Sequence, residues 1–290
     1  MATLRDLRSR IKGVQSTQQI TKAMKMVAAA KLRKAQEAII NARPYADRLS
    51  KLVARLVSDD DKLQNQYIVE RPVKKVALVI VTADRGLCGS FNTNLIKEAT
   101  NYISEELESK NIDYTLYMIG KKGYEHFKKR GYPILDQKIN FFSHLNVQIA
   151  LQIAHQLIDG YQKEEYDRVV IIFNEFKSVI QQKIVVSQYL PIPVESFDSE
   201  EHTDTLYIYE PSQQKIFESL LPQHLETQLW RVLLESNAAE LGAKMTAMDN
   251  ASTNAQELIR SLKMKYNKER QAAITKEILE VVSGANALKG

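Results

Sequence analysis

The two ends of the chain have the composition of long helices, and a mixed region lies between them. From about residue 3 to 58 there is one proline and one glycine, and from about 212 to 288 there are one proline and two glycines. At about 1.5 Å per residue, each segment could reach roughly 80–110 Å as a helix. The usual helix has about 11–12 residues. Such a chain is typical of a rod that carries a domain, which favours a mechanical or scaffolding role.

Seam positions in the first segment recur at alternating spacings of four and three, as in a coiled coil. Three of them are polar, and in that stretch Ile20, Met24 and Val27 form a different apolar stripe. We expect Pro44 to kink this helix, because proline lacks a backbone donor and clashes with the preceding turn. The seam consists of Leu4, Leu7, Ile11, Val14, Gln18, Thr21, Lys25, Ala28, Leu32, Ala35, Ile39, Ala42, Ala46, Leu49, Val53 and Leu56.

The last segment carries a similar seam that changes register near its end, between Asn267 and Ala273. Beyond Ile278 the sequence is apolar on nearly every side, and such a surface has to be covered. Simple dimerisation would cover it, and so would a collar formed by another protein. The first ladder is Leu241, Met245, Met248, Ser252, Ala255, Ile259, Leu262 and Tyr266, and the second is Ile274, Ile278, Val281, Ala285 and Leu288.

The middle of the chain alternates short apolar runs with helical patterns. Continuous apolar runs are typical of strands that are buried on both faces, and their alternation with helices predicts a parallel sheet. We expect strands at 76–81, 114–119 and 169–173, helices at 94–109 and 146–161, edge strands at 183–188 and 205–209, and a solvated loop at 198–204. The fold class is therefore α/β, with a long coiled coil of the N- and C-terminal helices, which can pair antiparallel.

A glycine-rich loop, TADRGLCGSFN at 82–92, follows the first predicted strand and leads into a helix. A helix N-terminus favours anions, but neither G-x-x-x-x-G-K-[ST] nor G-x-G-x-x-G is present. We interpret Gly86 and Gly89 as serving a tight turn and close helix packing. The five histidines show no i, i+4 pairing. We therefore expect no catalytic residue, metal site, cofactor or bound nucleotide.

Charge is distributed unevenly along the chain. Residues 1–57 hold 13 Lys/Arg and three Asp/Glu, giving +10, whereas 58–209 sum to −5 and 210–290 to zero. A basic helix suits a solvated surface, an acidic protein partner, nucleic acid or an anionic membrane. No run of apolar residues approaches the length of a membrane span. The N-terminus predicts neither a signal peptide nor a cleaved leader, and the single cysteine, Cys88, fits a reducing cytoplasm.

Three segments resemble the γ subunit of F-type ATP synthases. ITKAMKMVAAAKLRKAQ (20–36) and YNKERQAAITKEILEVVSGANAL (266–288) are similar to the terminal helices of that family, and TADRGLCGSFN to the signature of its central domain. The resemblance implies an antiparallel coiled coil within a ring of α and β subunits, with the C-terminal tip in an apolar sleeve. It further implies a Rossmann-like domain near the ε subunit and the membrane c-ring, and three parts of the chain: 1–58, 59–209 and 210–290.

The same resemblance implies which residues contact the ring of α and β subunits. The polar breaks in the two seams would present donors outward to the ring, and Lys22 and Lys25 flank a position near an acidic loop of β. Lys244 stands where the family often has Arg, so a bidentate contact would be lost there. The implied ring contacts are Lys22, Met24, Lys25, Lys244, Arg270, Gln271, Thr275, Ile278 and Val282.

The resemblance also implies a peripheral location on the cytoplasmic face of a bacterial plasma membrane. With one cysteine and no inserted cysteine pair, we expect no thiol regulation. Two alternatives stay open at this point. A coiled-coil scaffold or nucleic-acid binder would show binding that weakens steeply with salt. A nucleotide-dependent enzyme would bind nucleotide through the glycine-rich loop.

Overall fold

The computed structural model describes residues 3–57, 65–143, 145–193, 209–210 and 212–287. Helix α1 (Leu4–Leu56) and helix α5 (Gln213–Ala287) stand at the two ends of the chain. The elements between them, in chain order, are β1 (Lys75–Val81), α2 (Phe91–Tyr102), β2 (Asp113–Ile119), α3 (Lys121–Lys128), β3 (Ile134–Lys138), α4 (Val147–Gln162), β4 (Arg168–Phe176) and β5 (Gln182–Leu190). The predicted α/β class with long terminal helices is confirmed.

Contacts within the chain divide it into two compact units. Residues 1–28 and 245–290 form one of them, called here the paired-helix unit, and residues 29–244 form the other, called the α/β unit. Both long helices contribute to both units, and neither helix is interrupted at its internal proline, Pro44 or Pro222. The three-part division at 1–58, 59–209 and 210–290 stays a prediction.

The sheet of the α/β unit has five strands in the order β3-β2-β1-β4-β5. Strands β1 to β4 are parallel, and β5 pairs antiparallel with β4. The direction in which successive strands are added reverses between β1 and β4. The edge strand predicted at 183–188 is β5, whereas 205–208 and the loop predicted at 198–204 lie outside the described residues.

Helices cover both faces of this sheet. On one face, Val79 of β1 packs with α4, with the end of α1 and with a ladder of leucines on α5 that runs from Leu221 to Leu233. On the other face, Leu78 packs against α2 and α3. Because β1 is buried on both faces, its sequence is a continuous apolar run, as predicted.

Two elements of the α/β unit were not predicted, and one differs from its prediction. Helix α3 has eight residues and strand β3 has five, so neither is long enough to show a clear period. The helix predicted at 94–109 ends at Tyr102 and continues as a π-helical turn (Ile103–Leu107) and a 3₁₀ turn (Glu108–Lys110). These short turns carry the same apolar spacing as an α-helix, and for that reason the predicted helix extends to residue 109, beyond the observed end at Tyr102.

In the paired-helix unit, α1 and α5 run antiparallel along the predicted seam. Thr21 of α1 pairs with Ser252 of α5, and Lys25 with Asp249, so rising numbers in one helix meet falling numbers in the other. Thr3 and Asp6 cap the start of α1: the Asp6 carboxylate accepts from the Thr3 N–H at 3.0 Å, and the Asp6 N–H donates to the Thr3 hydroxyl.

The prediction that the polar positions of the α1 seam turn outward is wrong for Thr21. Thr21 is 8% exposed and its hydroxyl lies 2.7 Å from that of Ser252. By contrast Ile20 and Val27, from the different apolar stripe, are 56% and 57% exposed. The heptad phase therefore continues through the polar stretch, because two hydroxyl groups can satisfy each other within the seam.

Candidate functional site

The end of α5 is an apolar surface that the described chain leaves uncovered. Arg270 lies roughly level with the start of α1, judging from the pairing of Thr21 with Ser252 and of Lys25 with Asp249. Every residue from Arg270 to 286 is exposed. At 1.5 Å per residue, the helix from 271 to 287 measures about 25 Å. The exposed apolar residues on it are Ile274, Ile278, Leu279, Val281 and Val282, which are 47% to 68% exposed.

Four of the predicted ring contacts share one face of this uncovered segment. Gln271, Thr275, Ile278 and Val282 follow spacings of four, three and four, which place side chains on one side of a helix. All four are exposed. The face thus starts with hydrogen-bonding groups and ends with aliphatic ones. Such a surface suits a partner with polar loops at one level and an apolar collar at the next.

A second group of predicted contacts lies lower in the paired-helix unit. Lys22 is exposed and Met24 and Lys25 are half-buried. The Lys25 ammonium donates to Asp249 Oδ1 at 2.6 Å, so this cation already has a partner on α5. Asp249 and Arg270 are 21 positions apart on one helix, about 30 Å. The predicted contacts in this unit therefore form two separate patches.

The remaining predicted contact, Lys244, lies in the α/β unit. Its ammonium donates to Glu240 Oε1 at 2.7 Å, and the two side chains are 17% and 9% exposed. Because Glu240 and Lys244 are one helical turn apart, α5 neutralises its own buried charge here. The pair could have been suspected from its i, i+4 spacing, but its burial could not.

The glycine-rich loop contains an internal anion that sequence reasoning missed. Asp84 follows β1 and is 6% exposed. Its Oδ1 accepts from the backbone N–H of Lys121 at 3.1 Å and of Asn140 at 2.7 Å, and its Oδ2 accepts from Phe142 N–H at 3.0 Å. Lys121 is the first residue of α3. A carboxylate of the chain thus binds N–H groups of the kind that hold a phosphate in nucleotide-binding folds.

The neighbouring residues bring the backbone of this region close together. The Thr82 hydroxyl accepts from Gly123 N–H at 2.9 Å, and a Cβ at Gly120 would lie 1.9 Å from the Thr82 carbonyl oxygen. In the loop itself Leu87 and Gly89 have φ of 65° and 60°, whereas Gly86 has open space around it. Of the two glycines singled out from the sequence, Gly89 has a positive φ and Gly86 does not.

The single cysteine is part of the same loop. Cys88 is 2% exposed and accepts from the Asn92 amide at 3.2 Å. Burial, and then the nearby Glu240 carboxylate, raise the pKa of the Cys88 thiol. A thiol of raised pKa is a poor nucleophile at neutral pH. The absence of thiol regulation stays a prediction.

Among the residues that the structure describes, no cluster of three or more His, Cys, Asp or Glu side chains is arranged to bind a metal ion. None of the described helices combines the length and the hydropathy that a bilayer span requires.

The chain matches known proteins along its whole length. A family model described as ATP synthase matches residues 3–288. The ATP synthase gamma chain of Chlorobium phaeobacteroides is 50% identical over 294 residues, and that of Chlorobaculum tepidum is 50% identical over 292, with 100% of both chains covered in each case. The chain belongs to the ATP synthase γ-chain family.

Solved structures of ATP synthases show the same fold. A chain from the central stalk and c-ring of the Tetrahymena thermophila mitochondrial enzyme has a TM-score of 0.60 at 26% identity, covering 80% of this chain and 99% of that one. A chain from the Euglena gracilis mitochondrial enzyme, in a structure of its OSCP, F1 and c-ring, has a TM-score of 0.67 at 21% identity, covering 98% and 94%.

Membership in this family identifies the role suggested by the long helices. The chain is a γ chain, which is a subunit of the ATP synthase complex and not the catalytic one. It forms part of the central stalk, the rotor of that complex. The resemblance seen in the terminal helices and in the glycine-rich loop is thereby confirmed.

Proposed function

We propose that this chain couples rotation driven by proton flow to the conformational cycle of catalytic β subunits. In this proposal the paired-helix unit turns inside a ring of α and β subunits, and the α/β unit contacts the ε subunit and the membrane c-ring. The asymmetric shaft pushes each β subunit in turn through states that bind ADP and phosphate, form ATP and release it. The chain lies peripherally on the cytoplasmic face of a bacterial plasma membrane, in keeping with its bacterial relatives.

The observation that carries this proposal is the uncovered apolar end of α5. Val281 is 68% exposed and Leu279 is 60% exposed, although both belong to a run of aliphatic residues. Contiguous exposed apolar surface marks a site of protein interaction. A rotating tip needs a surface that slides, and aliphatic side chains form no directional bonds that would have to break at each step.

The polar contacts proposed for the ring are individually weak. An exposed ion pair is worth about 0–1 kcal/mol. The polar residues proposed here lie on or near the surface of the paired-helix unit, next to the apolar Met24; they are Lys22, Lys25, Arg270, Gln271 and Thr275. We therefore infer that shape and many weak contacts transmit the torque. Lys244 differs from these residues, because its cation is bound to Glu240 within the chain.

Reconstitution with purified α and β subunits tests the proposal. We expect one copy of the chain per three αβ pairs, in a complex that hydrolyses ATP. Removing the chain from Ala272 onward, or combining Arg270→Ala with Thr275→Val, should lower ATP turnover about fivefold or more, which corresponds to about 1 kcal/mol in the barrier. Unfolding of the isolated variants should change little, because the substituted side chains are exposed.

A matched control uses the same residue types elsewhere on α5. Arg260→Ala combined with Thr253→Val changes two exposed residues that are not among the proposed contacts, and it should leave turnover within about twofold of the unaltered complex. If the control lowers turnover as much as the Arg270 and Thr275 pair, the assignment of contacts is wrong. If no complex forms with α and β subunits, the proposed function itself is wrong.

A further inference from the structure

The glycine-rich loop occupies the position where an open α/β sheet ordinarily binds a ligand. Such ligands lie outside the carboxyl ends of the strands, at the point where the order of strands reverses. Here that point lies between β1 and β4. The loop follows the carboxyl end of β1, and Phe176 is the last residue of β4.

The structure shows that α5 contacts both sides of this point. Ala239 and Ala243 of α5 pack with Cys88 and Phe91 of the loop and with Phe176. A Cβ on Gly242 would lie 3.3 Å from the Val179 carbonyl oxygen and 3.4 Å from Phe176 Cε2. Three small residues therefore let the backbone of α5 approach both the loop after β1 and the end of β4.

The groups that would bind a ligand here are already engaged. Phe91 begins α2, and its buried ring packs with α5, so that the start of this helix faces α5. Asp84, in the loop after β1, accepts instead from residues that follow β2 and β3, on the other side of β1. The crevice between β1 and β4 is closed by the chain itself, with a helix in place of a ligand.

This contact is a second place where α5 is anchored in the α/β unit. The first is the leucine ladder from Leu221 to Leu233, which packs on the face of the sheet. Ala239 lies six residues beyond that ladder, about 9 Å along the helix. A rod that is held at two points resists bending, whereas a rod held at one point pivots there.

We propose that the crevice between β1 and β4 is a socket for α5, in which Cys88, Phe91 and Phe176 grip Ala239, Gly242 and Ala243. The socket keeps the part of α5 from Leu221 to Ala243 fixed within the α/β unit when load is applied. These six are positioning residues for rotary coupling, and the glycine-rich loop is part of the mechanical connection. The claim about coupling rests on the proposed function, whereas the claim that the crevice grips α5 does not.

The lone cysteine allows the grip to be measured on the isolated full-length chain. A thiol reagent reaches Cys88 only when α5 and the loop separate. Ala243→Leu places a larger side chain between them and should raise the rate of Cys88 labelling by about tenfold through local opening. Phe91→Ala removes six carbon atoms, which more than offsets the three that Ala243→Leu adds, and the double variant should return towards the unaltered rate, as expected for residues in contact.

The same variants test coupling in the assembled enzyme. Ala243→Leu should lower the pumping ratio, which is the number of protons pumped per ATP hydrolysed, by about twofold. The rate of ATP hydrolysis by the α, β and γ subunits detached from the membrane should be retained. The double variant should recover most of the pumping ratio. Ala30→Leu is the control, since Ala30 is an exposed residue of α1 in the same unit. It should change neither the labelling rate nor the pumping ratio.

The outcomes separate this inference from the proposed function. Rapid Cys88 labelling of the unaltered chain, or no increase with Ala243→Leu, would show that the crevice does not grip α5. Faster labelling with an unchanged pumping ratio would show a grip that plays no part in coupling. If Ala243→Leu lowers ATP hydrolysis and proton pumping by the same factor, and the double variant restores neither, the six residues have only a structural role. Failure of the unaltered enzyme to pump overturns the proposed function, while labelling still decides the grip.

Discussion

The two units of this chain bury their apolar residues in different ways. In the α/β unit, strand β1 is covered on both faces, and Leu78 and Val79 are both 0% exposed. In the paired-helix unit, burial is confined to a seam one side chain wide, and Met248 and Ile259 on it are 5% and 8% exposed. The seam ends near the start of α1, after which the apolar residues of α5 are exposed.

Because of this difference, the apolar residues that stabilise the fold and those available to a partner lie in different parts of the chain. Apolar side chains of the α/β unit stabilise the fold, because their burial removes surface from water within the chain. The same residue types on the end of α5 stabilise nothing in the isolated chain. Their contribution appears only when another molecule covers them. The effect of a mutation in the α/β unit should therefore be measured as a change in unfolding free energy, and that of a mutation at the end of α5 as a change in the ATP turnover of the complex.

The largest effect is expected when the core of the α/β unit loses a side chain. Leu229 on α5 is 0% exposed within the main core. Leu229→Ala should lower the free energy of unfolding by about 2–5 kcal/mol, through lost burial and a cavity. Denaturant unfolding of the isolated chain measures this change.

The matched substitution at the other region is Ile278→Ala, at a residue that is 57% exposed. It should change the free energy of unfolding by less than about 0.5 kcal/mol, and any effect should appear in the ATP turnover of the reconstituted complex instead. A large loss of stability from Ile278→Ala would show that the end of α5 is covered within the isolated chain, and the comparison between the units would fail.

A smaller effect is expected at the internal anion of the α/β unit. Asp84→Ala leaves three backbone N–H groups without their carboxylate partner and should cost about 1–3 kcal/mol of unfolding free energy. Asp113→Ala is the control, because Asp113 is exposed and lies in the same sheet. Equal losses in the two variants would contradict the role given to Asp84.

A carboxylate supplied from solution offers an independent test of the same idea. Acetate should raise the unfolding midpoint of the Asp84→Ala variant more than that of the Asp113→Ala variant, because only the former exposes an empty set of donors. The comparison is made at constant ionic strength, since salt changes surface electrostatics in both variants.

The sequence predicted the periodic parts of the molecule and missed the parts that depend on distant partners. The seam from Leu7 to Leu56 and the uncovered end of α5 follow from spacing alone. The donors that meet Asp84 come from residues up to 58 positions away, so no local pattern reveals them. Thr21 was misplaced because its partner, Ser252, is 231 positions away and makes a polar seam position acceptable.

In the paired-helix unit, the buried hydroxyl pair should contribute modestly. Two protons serve three contacts here, so one hydroxyl donates to the other while the acceptor of that bond donates to a backbone carbonyl. The Thr21 hydroxyl also lies within reach of the Gln18 carbonyl oxygen and that of Ser252 within reach of the Met248 carbonyl oxygen, so each keeps a partner when the other is removed. Thr21→Val or Ser252→Ala alone should cost about 1 kcal/mol of local opening free energy, and the double variant should cost less than the sum.

Amide hydrogen exchange between residues 245 and 260 measures that opening. Thr253→Val is the control, because Thr253 is the exposed neighbour of Ser252. Strict additivity of the two single variants would show that the hydroxyls are not coupled, and the assignment of Thr21 to the seam would then be in doubt.

The smallest effect on stability is expected at the pair formed by Lys25 and Asp249. Their side chains are 36% and 55% exposed, so the attraction is screened by solvent, and Lys25→Met should cost at most about 0–1 kcal/mol. Asp249→Asn should cost no more, although it releases the same ammonium.

The two variants differ in what remains for a partner, because Lys25→Met removes the cation and Asp249→Asn leaves it free. If Lys25 contacts an acidic loop of the ring, ATP turnover of the reconstituted complex should fall with Lys25→Met and be retained with Asp249→Asn. Equal losses would show that the ion pair itself, and not the cation, is what the complex requires.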